Sequence, residues 1–106
     1  MSLLTWASPK RLLGIWNEAL TFDELALAGY AHLYGDRHEK TLKARISCVM
    51  DLGALSRFSD VAELLPQLDA DARNALTRKN PLRRQIILAI TTLRATLKMF
   101  EGEEGN

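Results

Sequence analysis

Apolar residues recur at helical spacing along most of the chain. One such stripe, between positions 37 and 52, consists of Leu42, Ile46, Val49 and Met50. No segment alternates apolar and polar residues as a half-exposed strand does, and no Asn-Gly pair marks a hairpin. The β-branched cluster from Ile86 to Thr92 has a strand-like composition, but its apolar positions keep the helical period. The pattern therefore predicts an all-α fold.

Capping signals divide this pattern into five or six helices. Ser8-Pro9 and Asn80-Pro81 each place a capping side chain before a proline at the first helical position, where the missing N–H is no loss. Thr21 and Glu24 have the spacing of a capping box, which predicts that a second helix begins there. Gly35 is expected to end that helix in the left-handed conformation.

Three more signals set the later boundaries. Asp36 and Glu39 repeat the box spacing, Gly53 is a natural stop, and Pro66 is expected to end or kink a short helix. We therefore expect helices over about 9–20, 22–34, 37–52, 60–65, 69–79 and 81–100. The last would be about 30 Å long. The predicted architecture is an orthogonal or bundle-like array with a long C-terminal helix.

The length of 106 residues suits one domain, which we place at residues 1–100. Residues 101–106 are acidic and are expected to be a disordered tail. No apolar run approaches the roughly 18 residues of a membrane span, and the N-terminus lacks the order of a signal peptide. The single cysteine, Cys48, cannot form an internal disulfide, so a cytoplasmic location is expected.

Charge is segregated along the chain although the net charge is only +1. The segment 73–100 contains seven basic residues and no acidic one. Four of these residues surround the Asn80-Pro81 helix start and form a basic cluster: Arg78, Lys79, Arg83 and Arg84. A helix N-terminus flanked by arginines favours anions, so this is the candidate anion-binding or nucleic-acid-binding site. The alternatives are a solvated basic face or pairing with acidic residues in 60–71.

A second candidate surface is an apolar stripe along the last helix. Its residues fall at alternating four- and three-residue steps, which suit packing along another helix. The stripe consists of Ile86, Ile90, Leu93, Leu97 and Phe100. We expect it to pair with a partner protein or with a second copy of the chain.

Signals for catalysis are missing from the sequence. It has no Gly-rich phosphate loop, nucleophile elbow or zinc-protease helix motif. His32 and His38 flank the Gly35 break, which does not favour a metal site, and Cys48 has the context of a small buried hydrophobe. Trp16 is expected in the core. We expect no catalytic residues, no metal and no cofactor.

Two functions follow as hypotheses. The first is a non-enzymatic regulatory or adaptor module that acts by protein–protein binding as a homodimer. The alternative is a nucleic-acid-binding regulator of helix-turn-helix-like outline that uses residues 73–100. The near-neutral charge and the presence of only Gln85 as a base-reading amide in the last helix count against the second. A membrane partner is not expected.

Overall fold

A computed structural model of the chain describes the backbone of residues 9–104 and the side chains of residues 14–99. It contains four helices and, among those residues, no strand. We number them α1 (Pro9–Tyr34), α2 (Glu39–Ala54), α3 (Phe58–Ala75) and α4 (Pro81–Glu104). The prediction of an all-α fold is confirmed, and the prediction of five or six helices is wrong because two pairs of predicted helices are each continuous.

The first merger occurs at Thr21. The predicted capping box does not form there, because the Thr21 hydroxyl donates to the carbonyl oxygen of Asn17, at 3.0 Å, within an uninterrupted helix. A threonine bonded one turn back in this way is tolerated inside a helix. Since no proline or positive-φ glycine lies between Pro9 and Tyr34, nothing else breaks α1.

The turn between α1 and α2 forms as expected at Gly35. This residue has a φ of 89°, and its N–H donates to the carbonyl oxygen of Ala31 at 3.0 Å. The N-cap of α2 is His38 and not Asp36, because the His38 Nδ1 accepts a hydrogen bond from the Lys40 N–H at 3.1 Å.

At its other end α2 passes Gly53 and stops at Ala54. The left-handed residue that follows is Ser56, with a φ of 60°. Gly53 stays helical and marks a close approach instead, since a Cβ there would lie 3.2 Å from Leu93 Cδ2 of α4.

The second merger occurs at Pro66, which lies inside α3. Proline removes one hydrogen bond, to the carbonyl oxygen of Ala62. Both residues are exposed, so water can solvate that carbonyl. Buried residues on either side of Pro66, among them Leu65 and Leu68, hold the helix against the core.

The start of α4 is the predicted one. Asn80 Oδ1 accepts from the Leu82 N–H at 2.9 Å, and Pro81 is the first helical residue. The helix extends to Glu104, past the predicted end at Phe100. Of the tail that was expected to be disordered, residues 105 and 106 lie outside the described part of the chain.

The core lies between α2, α3 and α4. These helices contact one another along their backbones, whereas the backbone of α1 closely approaches α2 alone among the described helices. The largest fully buried hydrophobic side chains are Leu42, Val49, Val61, Leu65, Leu68, Ile86 and Ile90. α1 adds Leu20 and Leu27 to this core from one side. No helix in the described part of the chain is long and apolar enough to cross a bilayer.

Candidate functional site

The predicted basic cluster lies at the junction of α3 and α4. Arg78 and Lys79 are exposed in the connecting turn, and Arg84 is exposed in the first turn of α4. Arg83 is half-buried, and its Nε has no hydrogen-bond partner among the described residues. The four residues therefore flank the start of α4.

The basic residues of 73–100 divide into two groups. Asp69 pairs with Arg73, at 2.8 Å, and with Arg94 of α4, at 3.4 Å. None of the four cluster residues forms an ion pair within the described part of the chain. Ion pairs with an acidic residue of 60–71 thus neutralise the charges of Arg73 and Arg94. They leave the positive charges of the four cluster residues without a partner in the described part of the chain.

A cleft of about 440 Å³ adjoins the cluster, between the N-termini of α2 and α4. Its lining includes Lys40 and Lys43 of α2 opposite Asn80 and Gln85. Sequence reasoning missed these lysines, because a spacing of three residues on a polar helical face is common and nothing in the sequence indicates that α2 and α4 begin side by side.

The predicted apolar stripe of α4 faces the chain's own core. Ile86 and Ile90 are almost completely buried, and Leu93 and Leu97 are partly buried against the same core. The side chain of Phe100 lies outside the described residues. Ile86 and Ile90 are therefore occupied by contacts within the chain. A role of Leu93, Leu97 and Phe100 in partner binding stays a prediction.

An apolar surface that no other described part of the chain covers lies on α1. Leu20, Leu27 and Ala31 lie on the side of α1 that faces the rest of the chain. Large apolar side chains also lie roughly 140–160° around the helix from Leu20, at 100° per residue. They form what we call the free face of α1, with exposed fractions of 50% for Ile15, 72% for Phe22, 67% for Leu25 and 71% for Leu33.

The middle of the free face is open. A Cβ added at Gly29 would meet nothing within 4 Å. Between Gly14 and Tyr34, the only ionisable side chains on this side of α1 are Glu18 and His32, both exposed. Trp16, which was expected in the core, lies on the core-facing side of α1, about 40° from Leu20, but is 39% exposed.

Sequence reasoning missed the free face for a specific reason. A helix boundary at Thr21 separates Ile15 from Phe22, Leu25 and Leu33, so the sequence pattern does not place them on the same helix face. When residues 9–34 are treated as one helix, the same residues form two apolar stripes on opposite sides of it. The sequence therefore does indicate the free face, provided that no helix boundary is placed at Thr21.

An acidic pair lies where α1 meets α2. Asp51 of α2 is buried, and its Oδ2 has no hydrogen-bond partner among the described residues. Burial, followed by a side-chain hydrogen bond with Asp23 of α1 and by the charge of that residue, raises the pKa of Asp51 to about 7. This pair therefore carries a proton below neutral pH that the two isolated side chains would not hold.

A second buried carboxylate, Asp71 of α3, ties three segments together. Its Oδ2 accepts from the Arg45 guanidinium at 2.7 Å, and its Oδ1 accepts from Gln67 at 3.0 Å and lies 3.4 Å from Arg37. The hydrogen bond from Arg45 is the main cause that lowers the pKa of Asp71. Arg45 also donates to the backbone carbonyl of Asp36, at 3.2 Å, so the cluster fixes the turn before α2.

The remaining candidates for chemistry are Cys48, His38 and a possible metal-binding group. Cys48 is buried, as predicted, and burial together with the charges of Asp23, Glu24 and Asp51 raises the pKa of its thiol to about 11. The His38 ring stacks on Tyr34 with 4.5 Å between centroids. No group of three or more His, Cys, Asp or Glu side chains among the described residues is placed to hold a metal ion.

Comparison of the chain with protein-family models, with curated proteins and with solved structures finds no match.

Proposed function

We propose that the chain is a regulatory or adaptor module that acts by binding protein, without a catalytic step of its own. The free face of α1 is the observation that carries the proposal. Ile15, Phe22, Leu25 and Leu33 present exposed apolar side chains over roughly 27 Å of the helix, at 1.5 Å per residue, with Glu18 and His32 among them. Exposed apolar strips of this extent are typical of surfaces that another protein covers.

The free energy gained by burying the side chains of the free face favours a weak to moderate interaction. Fully burying a large apolar side chain stabilises by about 1.5–3 kcal/mol, so covering four that are half to three-quarters exposed is worth about 4–8 kcal/mol on this chain. A partner that contributes similar side chains doubles the gain, which then exceeds the lower range of the cost of association, about 4 kcal/mol and above. The lone, buried cysteine is the reason to propose a cytoplasmic setting for this binding.

The test is the reactivity of a single cysteine on the free face. Leu25→Cys is compared in dilute purified protein and in an extract of the cells that make the protein, with a maleimide reagent. We expect labelling to be slowed at least several-fold in the extract, because a bound protein covers position 25. The native Cys48 contributes little background since it is buried and its thiol pKa is raised.

The matched control is Ala62→Cys, on the exposed side of α3. Its labelling should be the same in both conditions. Equal labelling of position 25 in extract and in dilute solution would refute the proposal.

A second candidate function, nucleic-acid binding, is favoured by one observation. Arg78, Lys79, Arg83 and Arg84 lack ion-pair partners within the described part of the chain. They flank Asn80 and Pro81, which line a cleft together with Lys40, Lys43 and the acidic Glu39. Phosphate binding by such residues would weaken steeply with salt.

Fluorescence anisotropy with labelled DNA at two salt concentrations tests this candidate. The variant is the double substitution Arg83→Ala and Arg84→Ala, and its control, Arg73→Ala with Arg94→Ala, removes the same charge from residues already paired with Asp69. Loss of DNA binding in the first variant, with binding retained in the control, supports the site. No binding at low salt, or equal loss in both variants, refutes it.

A further inference from the structure

α1 is held to the rest of the protein by fewer contacts than the other helices are. Its backbone closely approaches α2 alone among the described helices. No ion pair in the described part of the chain joins α1 to another helix. Among the described side chains, α1 contributes Leu20 and Leu27 to the hydrophobic core, and the residues that follow α1 contribute all the others. Release of α1 would therefore leave most of the core in place.

The turn between α1 and α2 combines a hinge with an anchor. Gly35 has a φ of 89°, and a Cβ added there would meet nothing within 4 Å. Directly after it, the carbonyl oxygen of Asp36 accepts from Arg45 of α2 at 3.2 Å, and the Nε of Arg37 lies 3.4 Å from Asp71 of α3. The turn is thus fixed to α2 and α3 from Asp36 onward, so a movement of α1 can be confined to Gly35.

The contact between α1 and α2 includes two carboxyl groups, those of Asp23 and of the buried Asp51. The Oδ2 of Asp51 has no hydrogen-bond partner among the described residues. Ionised carboxylates carry only acceptors, so Asp23 and Asp51 can form a hydrogen bond with each other only while one of them is protonated. When both are ionised, two like charges face each other in a site largely shielded from water, and the contact becomes unfavourable.

The charged groups around the pair leave this repulsion in place. From α1, Glu24 adds a further negative charge at this contact. From α2, Lys40 and Lys43 line a cleft with Asp23, but neither forms an ion pair with it. From the described parts of α3 and α4, no charged group is among the causes that raise the pKa of Asp51.

We propose that the Asp23–Asp51 pair is a pH-sensitive latch, which holds α1 on α2 while the two carboxyl groups share a proton and releases α1 about Gly35 more readily when both are ionised. α2, α3 and α4 remain folded in the released form, because they share a core of their own. The movement uncovers the side of α2 that α1 covers, including Cys48 and a pocket of about 80 Å³ that Cys48 lines together with Leu27. The latch is independent of what binds the free face.

Cys48 reports this movement, since it is 5% exposed and lies next to Leu27 of α1. The rate at which a thiol reagent modifies Cys48 is divided by the rate for the urea-unfolded chain at the same pH. This ratio measures how often α1 opens. We expect it to rise by up to about a hundredfold between pH 5 and pH 8, because the pKa of Asp51 is about 7 in the closed form and returns to 3.8 in the open form.

Asp51→Asn should remove most of this rise, because its amide can donate to Asp23 at every pH. Asp36→Asn changes an exposed carboxyl group outside the pair, so it is the matched control and should show the full rise. Circular dichroism at pH 5 and pH 8 checks that both variants remain helical. A ratio that does not change with pH in the unaltered chain, or an equal rise in Asp51→Asn, would overturn the latch.

A second measurement separates release of α1 from unfolding of the whole chain. Ile90→Cys, combined with Cys48→Ala, places the single thiol in the core on α4, which the backbone of α1 does not closely approach. At pH 8, low concentrations of urea should accelerate the modification of Ile90→Cys steeply and that of Cys48 only slightly, because a local opening exposes little surface. Equal acceleration would mean that Cys48 reacts only through global unfolding, which also overturns the inference.

Discussion

Replacing Asp51 by Asn should change how stability depends on pH. Asp51 is 5% exposed, and its pKa is raised from 3.8 to about 7 by burial and by Asp23. The folded state therefore binds a proton more tightly than the unfolded state does. The stability contributed by this proton is fully present below about pH 4, falls progressively as pH rises toward 7, and is lost above that pH.

The size of the effect follows from the pKa difference. About three pKa units at 1.36 kcal/mol each set an upper limit of about 4 kcal/mol between pH 4 and pH 8. Asn is nearly isosteric with Asp, and its amide can donate to the Asp23 carboxylate without any proton uptake. Asp51→Asn should therefore resemble the unaltered protein near pH 4, exceed its stability by about 1–2 kcal/mol at pH 5, and exceed it by up to about 4 kcal/mol at pH 8.

Urea unfolding followed by helical circular dichroism at pH 5, 6, 7 and 8 measures this. The protein concentration is held fixed and low, since self-association would itself shift the midpoint. Asp36→Asn is the control, because the Asp36 side chain is exposed and forms no ion pair in the described part of the chain. The reasoning would be refuted if the free energy of unfolding of Asp51→Asn fell with pH as steeply as that of the unaltered protein. It would also be refuted if the free energy of unfolding of the unaltered protein did not change between pH 5 and pH 8.

Three further substitutions test the fold by the same unfolding measurement. Asp71→Ala leaves the Arg45 guanidinium without its buried partner and should destabilise by about 3–5 kcal/mol, and a loss under about 1 kcal/mol would contradict the role of this ion pair. Pro66→Ala restores a hydrogen bond to Ala62 inside α3 and should stabilise by about 1–2 kcal/mol, because the helix gains more than the unfolded chain gains in freedom, and an unchanged or lower midpoint would contradict this. Gly35→Ala places a Cβ at a φ of 89° and should destabilise by about 1–2 kcal/mol, so an unchanged midpoint would mean that the turn rearranges freely.

Local signals in the sequence predict some helix ends and not others. Gly35 and Asn80-Pro81 act as predicted because a left-handed glycine and a capped proline are satisfied by their own backbone neighbourhood. Thr21 does not start a helix and Pro66 does not end one, since their effect depends on whether packing on either side holds the helix together. That packing is a property of the folded chain and outweighs a capping preference of about 1 kcal/mol.

The candidate sites show the same division. Arg78, Lys79, Arg83 and Arg84 are neighbours in sequence and flank the Asn80-Pro81 helix start, which forms as predicted. The apolar stripe of α4 is real, but Ile86 and Ile90 on it serve the core, because periodicity identifies an apolar face without saying what covers it. The free face of α1 depends on the continuity of a 26-residue helix, which local signals obscured.

The arrangement of α1 also matters while the chain is being made. α1 leaves the ribosome before α2, the only described helix against which its backbone packs closely. Until α2 follows, the apolar residues on both sides of α1 are uncovered, on a helix that has no tertiary support. Between the emergence of α1 and that of α2, the nascent chain therefore exposes both apolar sides of α1 to chaperones or to a neighbouring copy on the same messenger.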